Sequence, residues 1–476
     1  MEAFTNWVSS VSDFVWGPPL IVLILACGIW LTIRTGLLQV FHLGKALRYM
    51  FQDEEDGDGE VTSFGALCTA LSATIGTGNI VGVASAIAAG GPGALLWMEV
   101  AAFFGMATKY AEGLLAIKYR EVDQEGHVLG GPFYYIEKGM GKNWKWLGKL
   151  FALFGLLAGA LGIGTITQIN GITSAAETFF DPQQAHVAFT IGSGDEAVNI
   201  TWTTIIIGLV VTVGAALVII GGLQRIAKVS EIIVPFMAVL YVACGIIIMI
   251  TNVTEIPNAL YQIFYGAFNP QAVAGGIVGV TIQTAIRQGV ARGIFSNEAG
   301  LGSAPIAAAA ARTKEPVRQG LVTMTGTFID TIVVCTMTGL SIVISGAWDP
   351  ALGLEGSQIT VYAFQNALPF PAQVSSFLLM ICLVFFAFTT ILGWDYYGER
   401  CLEYLSNRNR LAVRCYRWFY ILAVFVGPYL TVSVVWGIAD VFNALMAFPN
   451  IIALLALSGV VARETKDYFR RFPKGE

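Results

Sequence analysis

Residues 64–85, FGALCTALSATIGTGNIVGVAS, are long and apolar enough to cross a bilayer, yet their middle reads Gly76-Thr77-Gly78-Asn79. Glycine is a poor helix former and leaves the backbone accessible. A helix broken at mid-bilayer frees N–H and C=O groups that lipid cannot satisfy, so a break persists only where it is buried in protein or lines a cavity. The break therefore reads as the backbone of a binding site. Freed N–H groups and a half-helix N-terminus attract a carboxylate, and the Asn79 amide supplies a donor and an acceptor. Close packing of membrane helices uses the same small residues, and Asn79 can equally bond a neighbouring helix. The stretch alone leaves both readings open.

Other polar residues stand deep in apolar runs. Gln168, in GIGTITQING, has room beside it at Gly162 and Gly164, and is either a ligand contact or an interhelical hydrogen bond. Thr389-Thr390 offer the oxygens that a hard cation wants, or simply bond their own helix. Asp330, in GTFIDTIVV, is the one acid well inside its span, which makes function its default reading. It reads as a second ion ligand or as a partner for Arg287, one turn inward of Gln283. Asn297 and Glu298 suit either a gate at the inner mouth or a helix-end cap.

The whole chain fits a membrane setting. Of 476 residues, 55% are hydrophobic and only 12% charged, about half the charged fraction of a soluble protein. Apolar runs near twenty residues indicate transmembrane helices. The expected spans are 14–35, 64–85, 93–117, 147–178, 200–222, 230–252, 269–297, 319–346, 373–397, 418–437 and 440–462, eleven in all, with a short interfacial helix at 130–142. On this assignment the 27 Lys and Arg fall in loops on one side or in the half-spans nearest it, whereas segments 86–92, 181–199, 253–268 and 347–372 carry none. The positive-inside rule then puts the N-terminus outside and the C-terminus in the cytoplasm. Seven cysteines without C-x-x-C read as small core residues. The three histidines form no H-E-x-x-H, and no loop is large enough for a catalytic domain, so an enzyme is not expected.

Setting the first span aside leaves two sets of five that enter the membrane from opposite sides, the pattern of an inverted repeat. The expected division is 1–62 (extracellular N-terminus, peripheral first helix and cytoplasmic linker), 63–253 and 254–463 (the two repeats) and 464–476 (cytoplasmic tail). Span 269–297 is then the partner of 64–85, and it too is glycine-interrupted, at Gly275, Gly276 and Gly279. Gly276, Ile277 and Gln283 of this partner are accordingly assigned to the substrate site with Gly76, Thr77, Gly78 and Asn79.

Several motifs resemble one family, the alanine or glycine:cation symporters (sodium:alanine symporters). They are GTGNIVGVA (76–84), GGPGALLWMEVAAFFG (90–105), SNEAGLGSAPIA (296–307) and GWDYYGE (393–399), and similarity extends from FVWGP at 14–18 to ETK at 464–466. Leu96 and Glu99 depart from the pattern, where Phe and Trp are usual; Glu99 is expected to snorkel outward. The resemblance implies an all-α polytopic protein of eleven helices, the last ten in the leucine-transporter (LeuT) 5+5 inverted repeat. It implies sodium-driven import of alanine or glycine across the cell membrane. By the same resemblance Gln168 contacts the substrate and Trp394 walls the pocket. Sodium lies among Ser72, Ile75, Phe386, Thr389 and Thr390, and no organic cofactor or nucleic acid is involved. Proton coupling, another small solute, or a channel are the alternatives.

Overall fold

A computed structural model describes residues 2–52, 54, 57–124, 126–191, 198–269, 281–430 and 432–472. Among these, nine helices are long and apolar enough to cross a membrane, and one bent pair makes a tenth crossing. The expected span 269–297 is described only from residue 281 onward. Gly275, Gly276, Ile277 and Gly279 lie outside the described residues.

Helix α1 (Pro18–Thr35) opens on prolines, harmless in a first turn whose N–H groups have no partner anyway, and stops at Gly36 with φ 71°. The bent pair is α2 (Ser63–Thr74) and α3 (Val81–Gly90), whose axes differ by 63°. Thr62 caps α2, accepting from the Gly65 N–H at 2.8 Å. After α4 (Ala94–Lys118) come α5 (Lys145–Leu161) and α6 (Ile166–Phe180), which split the expected span 147–178 at residues 162–165. Then follow α7 (Trp202–Ile219), α8 (Gly222–Thr251) and α9 (Ile282–Asn297). One further crossing joins α10 (Pro316–Thr327) through a π-helical segment, Phe328–Cys335, to α11 (Thr336–Ile344). Short α12 (Ser357–Ala367) precedes the long α13 (Ala372–Leu405), α14 (Arg410–Val426) and α15 (Val432–Arg471). The last two part at Gly427–Tyr429, earlier than the expected 437–440, because Pro428 lacks the N–H that would continue α14. The expected interfacial helix at 130–142 is instead sunk into the protein, with Phe133, Tyr135 and Ile136 buried.

Lipid-facing and core helices separate by exposure. Leu209, Val210 and Leu217 of α7 and Ile232, Val239 and Ile250 of α8 are exposed, an apolar surface that suits lipid rather than water. Helix α4 is buried along most of its length against α9 and α10. Because lipid gives no hydrophobic drive between helices, such contacts rely on small residues that let backbones touch. A Cβ at Gly289 of α9 would stand 2.2 Å from the Ala94 carbonyl oxygen. Gly289→Ala therefore costs about 1–3 kcal/mol of overpacking and lowers the melting temperature in detergent. Gly44→Ala, where nothing lies within 4 Å, leaves it unchanged or slightly raised. Equal melting of the two variants would show that this crossing is not tight.

Outside the spans, a two-residue hairpin (β1, Glu121–Val122; β2, Val128–Leu129) carries His127. Its Nδ1 lies 3.0 Å from Glu60, just before α2, and its Nε2 lies 3.0 Å from Glu403 of α13. The hydrogen bond to Glu403 and then that to Glu60 raise its pKa to about 9, against burial and the nearby Arg400. A raised folded pKa means that this stabilisation is complete below the ordinary histidine value and disappears as pH rises through about 9. Melting temperature therefore falls between neutral pH and pH ~9.5, and His127→Gln flattens that fall. A wild-type profile that is level over this window contradicts the ion-pair assignment.

Candidate functional site

The bend between α2 and α3 is built from Ile75 and Gly76 in extended conformation, followed by a single 3-10 turn, Thr77–Asn79. Asn79 shapes it. Its Oδ1 accepts from the Gly76 N–H at 2.9 Å, and its Nδ2 donates to Asp330 Oδ1 at 2.8 Å. Asp330 Oδ2 in turn accepts from the hydroxyls of Ser296 (α9) and Thr331, both at 2.8 Å. The Asn79 carbonyl accepts from Thr338 of α11 at 2.8 Å. The break is thus bound to the span containing the π segment and to α9, all in the interior. A π segment is often found at functional sites, and here it contains the aspartate that holds the break.

Some polar groups are left over. The N–H groups of Thr77 and Gly78 have no acceptor among the described residues, nor do the buried Thr77 hydroxyl and Gln168 Oε1 have a partner. Gln168 Nε2 donates to the Ile163 carbonyl at 3.0 Å, a group freed by the interruption between α5 and α6. This points Oε1 at the break: a Cβ at Gly76 would lie 3.4 Å from it and 2.6 Å from Thr390 Oγ1. Glycine at 76 lets the backbone pass between these two side chains. Thr77 also lines a cavity of about 300 Å³ with Ile80, Val81, Asn170, Val361 and Leu383, the last three from α6, α12 and α13.

Oxygens gather on the other side of the same residues. Thr390 Oγ1 lies 3.4 Å from the Ile75 carbonyl oxygen and 2.9 Å from that of Phe386. Thr389 Oγ1 reaches the Phe386 carbonyl at 3.0 Å. The Ser72 hydroxyl, fully buried one turn before the break, donates to Thr69 O at 2.7 Å. Neutral hydroxyls and carbonyls suit a sodium ion. No group of three His, Cys, Asp or Glu is poised for a transition metal among the described residues.

Several expectations change. Asn79 is consumed by Gly76 and Asp330, so its side chain holds the break, and Thr77 is the residue that lines the cavity. Asp330 does not await Arg287; that arginine lines a separate cavity with Arg292 and Asp440. Gln283 is exposed in the first turn of α9, at the opposite end of that helix from Phe295 and Ser296, which lie against Gly78 of the break. Trp394 is fully buried, packed over Gly159 and Gly164 and edge-on to Tyr397 at 5.6 Å, which removes it from the lipid interface. It sits one helical turn beyond Thr390 and does not line the 300 Å³ cavity. Glu99 does not snorkel; it accepts from Thr336 at 2.8 Å. Asn297 accepts from the Ala299 N–H at 2.9 Å and Glu298 turns the chain at φ 55°, so both end α9 inside the protein. Sequence reasoning passed over Lys109 and Glu112, buried in α4; Glu112 accepts from Asn450 at 2.7 Å. Their i, i+3 spacing inside an apolar span was the available signal.

Removing the Asp330 carboxyl leaves Asn79 Nδ2 with only the Asp330 carbonyl at 3.2 Å and Cys335 Sγ at 3.4 Å, and the Ser296 hydroxyl with only Cys335 Sγ at 3.3 Å, weaker pairings that cost about 1–3 kcal/mol. Asp330→Ala is expected to melt lower and to bind alanine at least tenfold more weakly, with Asp330→Asn intermediate. Melting curves and binding isotherms check this; unchanged affinity in the alanine variant would mean that the break keeps its shape without Asp330.

Comparison with known proteins bears on the same residues. The model of the sodium:alanine symporter family matches residues 1–476. The chain is 48% identical to the sodium/alanine symporter AgcS of Methanococcus maripaludis, over 98% of this chain and 97% of that protein. It is 52% identical to an uncharacterized transporter of Haemophilus influenzae, over 98% and 96%. It is also 37% identical to a putative sodium/proton-dependent alanine carrier, YrbD, of Bacillus subtilis, over 99% and 93%. With a family model spanning every residue and such relatives matched end to end, the chain belongs to the sodium:alanine symporter family.

Proposed function

We propose that this sodium-coupled amino-acid symporter carries alanine or glycine into the cell, with both cargoes held at the break between α2 and α3. The observation that supports this reading is the sharing of residues 75–78 by two unlike sets of groups. On one side are the Thr77 and Gly78 N–H groups, the Thr77 hydroxyl and Gln168 Oε1. The donors fit a carboxylate and the acceptors an ammonium. On the other side the Ile75 and Phe386 carbonyls, with Thr389 and Thr390, would hold Na⁺, and Ser72 completes the set. Sodium orders the Ile75–Gly76 backbone, and the ordered backbone presents its N–H groups to the substrate. Trp394, packed beneath this floor, limits substrate size through Gly164 and Thr390.

In this reading the fold is the 5+5 inverted repeat of the leucine transporter, residues 63–253 and 254–463. Helix α9 is the outer half of an eleventh span, with Gly289 against Ala94 at the outer end of α4 and Phe295 against Gly78 at the break. The N-terminus faces outward and the C-terminal tail the cytoplasm. The 300 Å³ cavity then opens outward, between the outer ends of α6, α12 and α13.

The energetics are sufficient. One charge moving through ~100 mV supplies about 2.3 kcal/mol, and a tenfold sodium gradient about 1.4. Together they sustain roughly several hundredfold accumulation of a neutral substrate. In proteoliposomes, replacing external Na⁺ by K⁺ is expected to cut uptake of labelled alanine at least tenfold, and Thr390→Val is expected to raise the half-saturating Na⁺ concentration. Uptake indifferent to the cation would overturn sodium coupling. The buried Asp330 and the similarity to YrbD, described as a sodium/proton-dependent carrier, favour a second reading, in which a proton accompanies sodium; uptake driven by a pH gradient in Na⁺-free medium would establish it.

A further inference from the structure

A polar cavity of about 450 Å³ lies away from the break, between the hairpin of His127 and the ends of α13 and α14. Five arginines line it (Arg400, Arg408, Arg410, Arg414 and Arg417), outnumbering the four carboxylates of Glu60, Asp123, Glu399 and Glu403. They are not equivalent. Arg400 and Arg417 are wall residues, both bonded to the buried Glu399, at 2.9 Å and 2.5 Å. Arg400 also pairs with Glu403 at 2.6 Å. Arg408 leans outward to Glu121 at 2.7 Å. Arg410 and Arg414 are exposed at the rim, and Arg414 has no acidic partner among the described residues.

The local chain geometry collects these cations. Asn407 and Arg408 both adopt positive φ, 52° and 66°, turning α13 sharply into α14. Arg410, Arg414 and Arg417 then recur at i, i+4 and i+7, one stripe of α14. The adjoining stripe, Leu411, Trp418 and Leu422, is apolar and 67%, 60% and 57% exposed. A cationic cavity therefore borders a lipid-facing, tryptophan-bearing strip on the same helix. A soluble anion has no use for the apolar strip, whereas a phospholipid needs both, acyl chains along the strip and a phosphate at the arginine forks.

We propose that this cavity binds the phosphate of an anionic phospholipid headgroup, with Arg410 and Arg414 as its direct donors. The binding is independent of how transport is coupled. Arg400 and Arg417, held by Glu399, form the floor, and Trp418 marks the level of the headgroups.

The test uses the full-length protein in neutral detergent. Melting temperature is followed as phosphatidylglycerol, phosphatidylcholine or inorganic phosphate is added, and retained lipid is counted by native mass spectrometry. Phosphatidylglycerol alone is expected to raise the melting temperature and to be retained. In Arg410→Gln and Arg414→Gln, the half-saturating concentration rises by about fivefold for each arginine removed. Arg414→Lys, which keeps the charge and loses the fork, falls between wild type and Arg414→Gln. Arg414 is exposed and has no acidic partner among the described residues, so lipid-free melting of Arg414→Gln matches wild type. Equal stabilisation by phosphatidylcholine, full stabilisation by inorganic phosphate, or an unchanged phosphatidylglycerol titration in the double variant would each overturn the proposal.

Discussion

A helix that breaks inside a membrane must find partners for its backbone without water, and this architecture is arranged around that need. Asn79 returns its side chain to the Gly76 N–H, and Asp330 holds Asn79 while also holding Ser296. Short hydrogen bonds in a low-dielectric interior are strong when complete and costly when incomplete. The same requirement explains the second interruption, at residues 162–165. There the freed Ile163 carbonyl takes Gln168 Nε2, and the Gly164 carbonyl lies 2.7 Å from the Tyr420 hydroxyl. Among the described residues, the Thr77 and Gly78 N–H groups, the Thr77 hydroxyl and Gln168 Oε1 are left without partners, and they lie around residues 75–78.

That convergence is the physical basis for coupling. A ligand shifts an equilibrium only as far as its affinities for the two states differ. In the proposed function, sodium at the Ile75 carbonyl and substrate at the following N–H groups draw on one short stretch of backbone, so ordering it for one lowers the cost of ordering it for the other. Around it the scaffold is stiff. Glycines such as Gly289 bring helix backbones into contact, and His127 ties the linker before α2 to α13 outside the bundle.

Much of this was legible in the sequence because a membrane imposes strong rules. Apolar runs marked most spans, and glycines flanking a threonine marked the break at 76–79. The family followed from four motifs. What was not legible depends on which way side chains turn. Asp330 stood out as a buried acid, but that it would bond Asn79 rather than Arg287 depends on how two spans distant in sequence cross. Gln283 lies in the partner span, yet it is the other end of α9, at Phe295 and Ser296, that meets the break. Glu99 was expected to reach water, and a threonine five spans away, Thr336, satisfies it instead. The split of 147–178 was hidden because Gly162 and Gly164 read equally as packing residues. The early end of α14 at Pro428 was misjudged because hydropathy runs on through it.

The central claim is that sodium and amino acid share the residue 75–78 backbone, and calorimetric titration of alanine at low and saturating Na⁺ tests it most directly. Coupling through a shared element is reciprocal. Na⁺ should therefore tighten alanine binding by the same factor by which alanine tightens Na⁺ binding, and Thr390→Val should abolish both effects while leaving sodium-free alanine affinity intact. Alanine affinity that does not change with Na⁺ in the wild-type protein would contradict the account.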